Sequence, residues 1–329
     1  MTKTKPRITI VGLGLIGGSI GMALRQAEVA SIVVGHDKEP GVSRQAKKQE
    51  AVDRTDWNLV SACEEADVII LAIPTAGIEA TLKAIAPYVR PGCVIVDTAS
   101  LKVPVMAWAE EILPEEVHFV GMDPIIGETT ALAGGLEAAR ADLFHNRLIC
   151  LALTPKTEPS VVDLATNLVA ILGAKPLFMD AAEHDGLMGA VDQLPSLLAL
   201  TLLDTVVEQP AWRELRKMAG ASFETGTNLT SNDPAAYSAL FLSNRDNVLR
   251  WIDSFSASLA SMRQTLAAGE QKPLTECFKT LIEERNRWLH DREQGVWETT
   301  AVGEMPPKPN VLADMFLGGL GRKRPKKED

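Results

Sequence analysis

The 329-residue chain is long for one domain and comfortable for two, with enough apolar residues (46%) to bury a sizeable core. A formal charge of −10 leaves the body without a basic field for nucleic acid, so no nucleic-acid partner is expected. No stretch of about 18 uncharged apolar residues marks a membrane span, and "MTKTKPR" runs into a strand with no apolar leader, so a cytoplasmic protein is expected.

In the first half, short apolar runs alternate with helical patterns. Strands are predicted at 8–12, 31–37, 66–74, 92–100, 117–123, 147–154 and 175–180. Helices are predicted at 15–27, 76–87, 103–112 and 159–173. This alternation predicts an α/β fold, a doubly wound and mostly parallel sheet covered on both faces. From residue 181 the pattern is helical only, with segments at 181–209, 211–219, 233–268 and 273–293. The expected organisation is therefore a nucleotide-binding domain over 1–180, a helical domain over 181–300, and a loop and basic tail over 301–329. The span 181–209 is apolar nearly all round, as in a helix buried within a domain or at a subunit contact. "GEMPPKPN" at 303–310 reads as a loop. "GRKRPKK" at 321–327 reads as a solvated terminus, with an anionic surface or RNA as the alternative contact. Cys63, Cys93, Cys150 and Cys277 show no metal spacing and read as reduced, buried thiols. None of the five histidines pairs at ligand spacing, so no metal is expected.

"GLGLIGGS" at 12–19 places Gly12, Gly14 and Gly17 as G-x-G-x-x-G between a strand and a helix opened by Leu15 and Ile16. Gly12 permits the tight turn, Gly14 lets the backbone approach a pyrophosphate, and Gly17 lets helix and strand pack closely. The helix N-terminus offers N–H groups and a positive dipole end to phosphates. Asp37, 20 residues after Gly17, can accept hydrogen bonds from ribose hydroxyls and would repel a 2′-phosphate. NAD is the expected cofactor. Pro74 ends another strand at the carboxyl edge of the sheet, where ligands bind. Ser100 and Lys102 follow a strand in "DTASLK", either as site residues or as a helix N-cap and a solvated lysine.

Together with "GMDPIIG" (121–127), "EHDGLMGAVDQLPSLLA" and "GTNLTSNDPAAYSALFLSNRDNVL", these motifs resemble the prephenate/arogenate dehydrogenase family in order and spacing over roughly 7–295. The resemblance implies a nucleotide-binding domain joined to a helical domain through which two subunits dimerise. It also implies oxidation of a cyclohexadienol by NAD(P), with loss of carbon dioxide, on the route to tyrosine. Ser100 and Lys102 match the family's Ser-x-Lys. His184 and Asp185 match a His-Asp pair, and Asn244 and Arg245 an Asn-Arg pair.

Several positions depart from the family. Asp123 stands where the family keeps a histidine that accepts the ring hydroxyl's hydrogen bond. Asp192, Gln193 and Ser196 stand in place of a Ser-His-Leu-Pro-His pattern. Asn228 replaces the substrate-carboxylate arginine, and Glu224 a second arginine. Two readings of Asp123 stay open: a proton acceptor for the substrate, or a cap on a turn before Pro124. The neutral groups Gln193, Ser196 and Asn228, with Asp192 as a partner for an amine, point to a remodelled substrate pocket; Arg245 is a candidate anion partner. The rival expectations are a dehydrogenase of another hydroxy acid or cyclic alcohol, and a non-catalytic NAD-binding sensor.

Overall fold

The first strand, β1, is Arg7–Val11, and its burial is nearly complete because neighbours cover both faces. The computed structural model describes residues 5–127, 135–229 and 233–297. The loop at 303–310, the basic run at 321–327 and the whole expected tail over 301–329 lie outside the described residues.

The remaining strands are β2 (Ile32–His36), β3 (Arg54–Thr55), β4 (Val68–Leu71), β5 (Val94–Asp97), β6 (His118–Pro124), β7 (Leu148–Ala152) and β8 (Lys175–Phe178). They form one sheet in the order β3-β2-β1-β4-β5-β6-β7-β8. Pairing is parallel except between β6 and β7. Alternate residues of each strand serve opposite faces. Ile8, Ile10, Val68 and Ile70 join one core with Ile20 and Leu24. Val11, Ile69, Leu71 and Ile95 join the other with Ile78 and Leu82.

Strand order reverses between β1 and β4, which is where doubly wound sheets open a crevice at their carboxyl edge. Helix α1 (Leu15–Gln26) follows β1 into one core. Past β2 come α2 (Pro40–Lys48) and α3 (Leu59–Cys63), while α4 (Thr75–Ile85) follows β4. Helix α5 (Val103–Ile112) follows β5, and α6 (Pro159–Ile171) lies between β7 and β8.

The chain divides into two compact units. The first runs to Ala181 and takes the chain back at Gln294, and the second is Ala182–Glu293. The return corrects the expected boundary at residue 300: Lys175 Nζ, at the start of β8, donates to the Gly295 carbonyl at 2.8 Å.

The second unit is helical: α7 (Ala181–Met188), a π-turn at Gly189–Gln193, α8 (Leu194–Val207), α9 (Trp212–Met218), α10 (Ala221–Gly226), α11 (Pro234–Ser243), α12 (Arg245–Ala268) and α13 (Gln271–Gln294). Two expected helices are therefore interrupted. The span 181–209 widens at 189–193, just before Pro195, which has no N–H to offer the carbonyl four residues back. The span 233–268 breaks at Asn244, whose side chain is drawn inward by bonds described below.

Few residues of this unit are covered. Ala199 is the buried residue of α8, Val248 that of α12, and α13 has none. Leu249, Phe255, Leu259, Leu266, Phe278, Leu281, Ile282 and Trp288 are exposed. The span Ala181–Val207, with a mean hydropathy of 1.4, is long and apolar enough by composition to cross a membrane. It contains no uncharged run of that length, because Glu183, Asp185, Asp192 and Asp204 interrupt it.

The cysteine expectation needs one correction. Cys63, Cys93 and Cys150 are buried, and Cys277 is exposed. Burial pushes the Cys63 and Cys93 thiols up to about 12.

Candidate active site

The glycine loop lies at the carboxyl end of β1. Gly12 has φ +91°, and a Cβ there would stand 2.3 Å from the Ala72 carbonyl oxygen. A Cβ on Gly17 would stand 1.9 Å from the Gly12 carbonyl oxygen, so helix and loop touch through bare backbone. Gly14, the N-cap of α1, differs: a Cβ there would meet nothing within 4 Å. That open space lies beside the first turn of α1, where Leu15, Ile16 and Gly17 present N–H groups with no intrahelical partner.

Asp37 sits one residue past the end of β2. Its Oδ2 accepts from Leu13 N at 2.8 Å and its Oδ1 from Glu39 N at 2.9 Å. The carboxylate is thus pinned to the glycine loop. Pro74 is exposed at the N-cap of α4, on the carboxyl edge of β4 beside β1. The residues fit a dinucleotide: a bare-backbone cradle, a helix N-terminus and an acid at the ribose distance along the chain.

A second group lies at the ends of β5 and β6. Asp97 closes β5 and is fully buried. Its Oδ2 accepts from Ala99 N at 2.9 Å and from Lys102 Nζ at 2.5 Å. Its Oδ1 is buried and has no hydrogen-bond partner among the described residues. Lys102 is fully buried too, and its ammonium also donates to the Met122 carbonyl at 2.9 Å. The stem crosses Gly121, where a Cβ would come within 2.9 Å of Lys102 Cδ. This corrects the solvated-lysine reading. Lys102 itself holds the N-cap position of α5, with no side-chain cap bond, so Ser100 is not the cap; it is half-buried in the bend after β5.

Asp123 is 5% exposed and lies within β6, opposite Cys150 of β7. The turn-cap reading fails, because Asp123 and Pro124 both belong to the antiparallel ladder. Asp123 acts on Asp97 through space. Burial pushes the Asp97 carboxyl up, Lys102 opposes this by charge and hydrogen bond, and the negative charge of Asp123 adds to the rise.

In the helical unit, Gln193 is fully buried. Its Oε1 accepts from Asn244 Nδ2 at 2.8 Å, and its buried Nε2 has no partner among the described residues. Asn244 Nδ2 also donates to the Asp185 carbonyl at 2.8 Å, and Asn247 donates to Asn244 Oδ1. His184 Nδ1 and Asp185 Oδ1 lie 2.8 Å apart, both side chains buried. Ser196 turns its hydroxyl onto the Asp192 carbonyl one turn back, and Asp192 is half-buried. Asn228 and Glu224 are exposed, and so is Arg245, which pairs with Asp246 at 3.2 Å. Gln193 thus shares a buried network with Asn244, while Asn228 and Arg245 lie at the surface of this unit. An apolar groove of about 480 Å³ in the same unit is lined by Val206, Trp212, Leu215, Met218 and Phe223, none of them a predicted site residue.

Asp97 is a member that the sequence reading did not single out, and Asn244, matched there to the family's Asn-Arg pair, was not expected to join Gln193 and Asp185. For Asp97 the signal was an acid ending a run of buried apolar residues, five positions before a lysine. For Asn244 the match to the Asn-Arg pair marked the residue, but no local pattern marked its burial.

Residues 20–177 match the family described as "Prephenate dehydrogenase, nucleotide-binding domain", and residues 180–280 match "Prephenate dehydrogenase, dimerization domain". A prephenate dehydrogenase of Lactococcus lactis subsp. cremoris is 30% identical over 279 residues, covering 83% of this chain and 75% of the relative. The chain belongs to the prephenate dehydrogenase family. Another relative, the prephenate dehydrogenase of Bacillus subtilis, is 28% identical over 322 residues, covering 96% of this chain and 85% of the relative. The family fold is matched by the crystal structure of prephenate dehydrogenase from A. aeolicus in complex with hydroxyphenyl propionate and NAD+, at a TM-score of 0.78 and 24% identity. That match covers 87% of this chain and 99% of the other. Members of this family are oxidoreductases, and the helical unit carries the family's dimerisation domain.

Proposed function

We propose that the chain is an NAD-dependent dehydrogenase that converts prephenate or arogenate to an aromatic product with loss of carbon dioxide. The observation that carries this reading is the open backbone at Gly14, between the tight contacts of Gly12 and Gly17, in a chain whose two halves both match the family. Bound at this loop, NAD would supply the hydride acceptor. The N–H groups of Leu15, Ile16 and Gly17 would hold its pyrophosphate, Asp37 its ribose hydroxyls, and Pro74 would border the same edge.

Oxidising an alcohol requires the hydroxyl proton to be held as hydride leaves. We assign that hydrogen bond to Asp123, a nearly enclosed carboxylate at the carboxyl end of β6. Ser100, past the end of β5, is assigned a second hydrogen bond to the same hydroxyl. Lys102 is a positioning residue: it ties Asp97 to the Met122 carbonyl and so holds the two strand ends together. Substrate contacts from the helical unit are assigned to Asp192, Gln193, Ser196, Asn228 and Arg245. Of these Gln193 is the strongest candidate, because its buried Nε2 lacks a partner among the described residues.

The proposal includes a homodimer formed through the helical unit, whose exposed leucines and phenylalanines would be covered by a second copy. The same contact accounts for the apolar surface of 181–207 without a membrane. We place the protein in the cytoplasm, with no nucleic-acid partner. Purified protein mixed with NAD and either substrate tests the reading by NADH absorbance. Sustained NADH formation supports it, and NAD binding without turnover of either substrate contradicts it.

A further inference from the structure

We propose that Trp57 is the platform on which the adenine of the dinucleotide stacks, extending the cofactor site one strand beyond Asp37. The inference rests on the cofactor reading above and concerns what holds the base, which neither the glycine loop nor Asp37 addresses.

The strand order β3-β2-β1 sets the place. The glycine loop, assigned to the pyrophosphate, follows β1, and Asp37, assigned to the ribose, follows β2. In the adenosine half of a dinucleotide the ribose lies between pyrophosphate and base. Continued away from β1, that line passes from β2 to β3, the last strand on this side. All three strands are parallel, so their carboxyl ends share one edge. Neighbouring strands lie about 4.8 Å apart, comparable with the step from a ribose to the base it carries. Trp57 stands two residues past the end of β3.

The loop that carries Trp57 is tied down on both sides. Asp56 N donates to the Gly35 carbonyl at 2.9 Å, which prolongs the pairing of β3 with β2 past the strand. The Asp56 carbonyl lies 3.0 Å from Nδ1 of His36, the residue before Asp37. Asp56 Oδ1 accepts from Asn58 N at 3.0 Å, and its Oδ2 accepts from the Ser61 hydroxyl at 2.9 Å. Asn58 in turn caps α3 by accepting from Ser61 N. The side chain between these anchors takes little part in the fold: Trp57 is 87% exposed, the most exposed large apolar residue among those described. An indole on a fixed loop is a preorganised flat surface, so little ordering cost falls on binding. Stacking on an aromatic ring suits a purine, because every base has a π-face.

The test uses the full-length protein with three ligands: NAD, ADP-ribose, and nicotinamide mononucleotide, which lacks the adenosine half. Dissociation constants come from calorimetry, and indole emission is followed in parallel. Trp57→Ala is expected to keep the parent's thermal midpoint, because the ring is exposed. It is expected to weaken NAD and ADP-ribose by about tenfold and to leave nicotinamide mononucleotide unchanged. In turnover the loss should fall on the KM for NAD, with kcat retained. Adding ADP-ribose to the unaltered protein is expected to quench indole emission. Trp57→Phe should keep ADP-ribose affinity within about twofold while losing that quench. ADP-ribose affinity unchanged in Trp57→Ala, or nicotinamide mononucleotide weakened as much as NAD, overturns the inference while the cofactor reading stands. Failure of the unaltered protein to bind NAD or ADP-ribose overturns both.

Discussion

Lys102 Nζ lies 2.5 Å from Asp97 Oδ2, and both side chains are wholly enclosed. Removing one partner of such a pair leaves a buried charge uncompensated, at a cost of about 3–5 kcal/mol. Lys102→Met is therefore expected to lower the thermal midpoint sharply, and adding Asp97→Asn is expected to recover part of the loss. The pH dependence has a definite sign. Burial already raises the folded-state pKa of Asp97, so the native state binds more protons than the unfolded state above the ordinary carboxylate value. Stability from this group thus falls as pH rises from about 3.9 through the raised folded value. Without Lys102 the rise is larger. The deficit of Lys102→Met relative to the parent should be smaller at about pH 5 than at about pH 8 in denaturant titrations.

Gly14 and Gly17 should separate binding from folding. A methyl on Gly14 meets nothing within 4 Å and suits its φ of −74°. Gly14→Ala should keep stability within about 1 kcal/mol while filling the space a pyrophosphate needs, weakening NAD by about tenfold or more. Gly17→Ala drives a methyl onto the Gly12 carbonyl and should cost both stability and binding. Calorimetric unfolding and NAD titration on the same samples distinguish the two. Equal destabilisation by both substitutions would contradict the geometry.

Asp37 should set the choice between NAD and NADP. Its carboxylate is fixed against Leu13 N, so it would sit near the ribose. Asp37→Ser is expected to weaken NAD and to narrow its advantage over NADP by about tenfold, since the repulsion of a 2′-phosphate is removed. Dissociation constants for both nucleotides check this; an unchanged ratio would place the discrimination elsewhere.

The first unit was legible where apolar runs were short and punctuated. "ITIVG" and "ADVIILAIP" each gave a strand, and the glycine loop was readable because it lies between strand and helix. Helix α2 was missed because Ala46 is its sole buried residue, which leaves no apolar period to detect. Strand β3 is two residues long, below any pattern. The buried lysine was unreadable for another reason. Lysine is normally solvated, and the space for its stem comes from Gly121, nineteen positions away on β6. The helix break at Asn244 carries no proline or glycine and depends on partners at Asp185 and Gln193.

The helical unit should lose its partner when its exposed apolar surface is charged. Phe255 and Leu259 lie one turn apart on α12 and are both exposed. Phe255→Asp with Leu259→Asp is expected to convert a dimer to a monomer in light scattering, with the far-ultraviolet spectrum retained. A dimer that survives the pair would move the interface to another face of the unit.

The most direct test of the account is simultaneous measurement of NADH and carbon dioxide when the protein is given NAD with prephenate or arogenate. Equal amounts of the two products, formed more slowly by Gly14→Ala at limiting NAD, are predicted. NAD binding with neither product from either substrate would contradict the account.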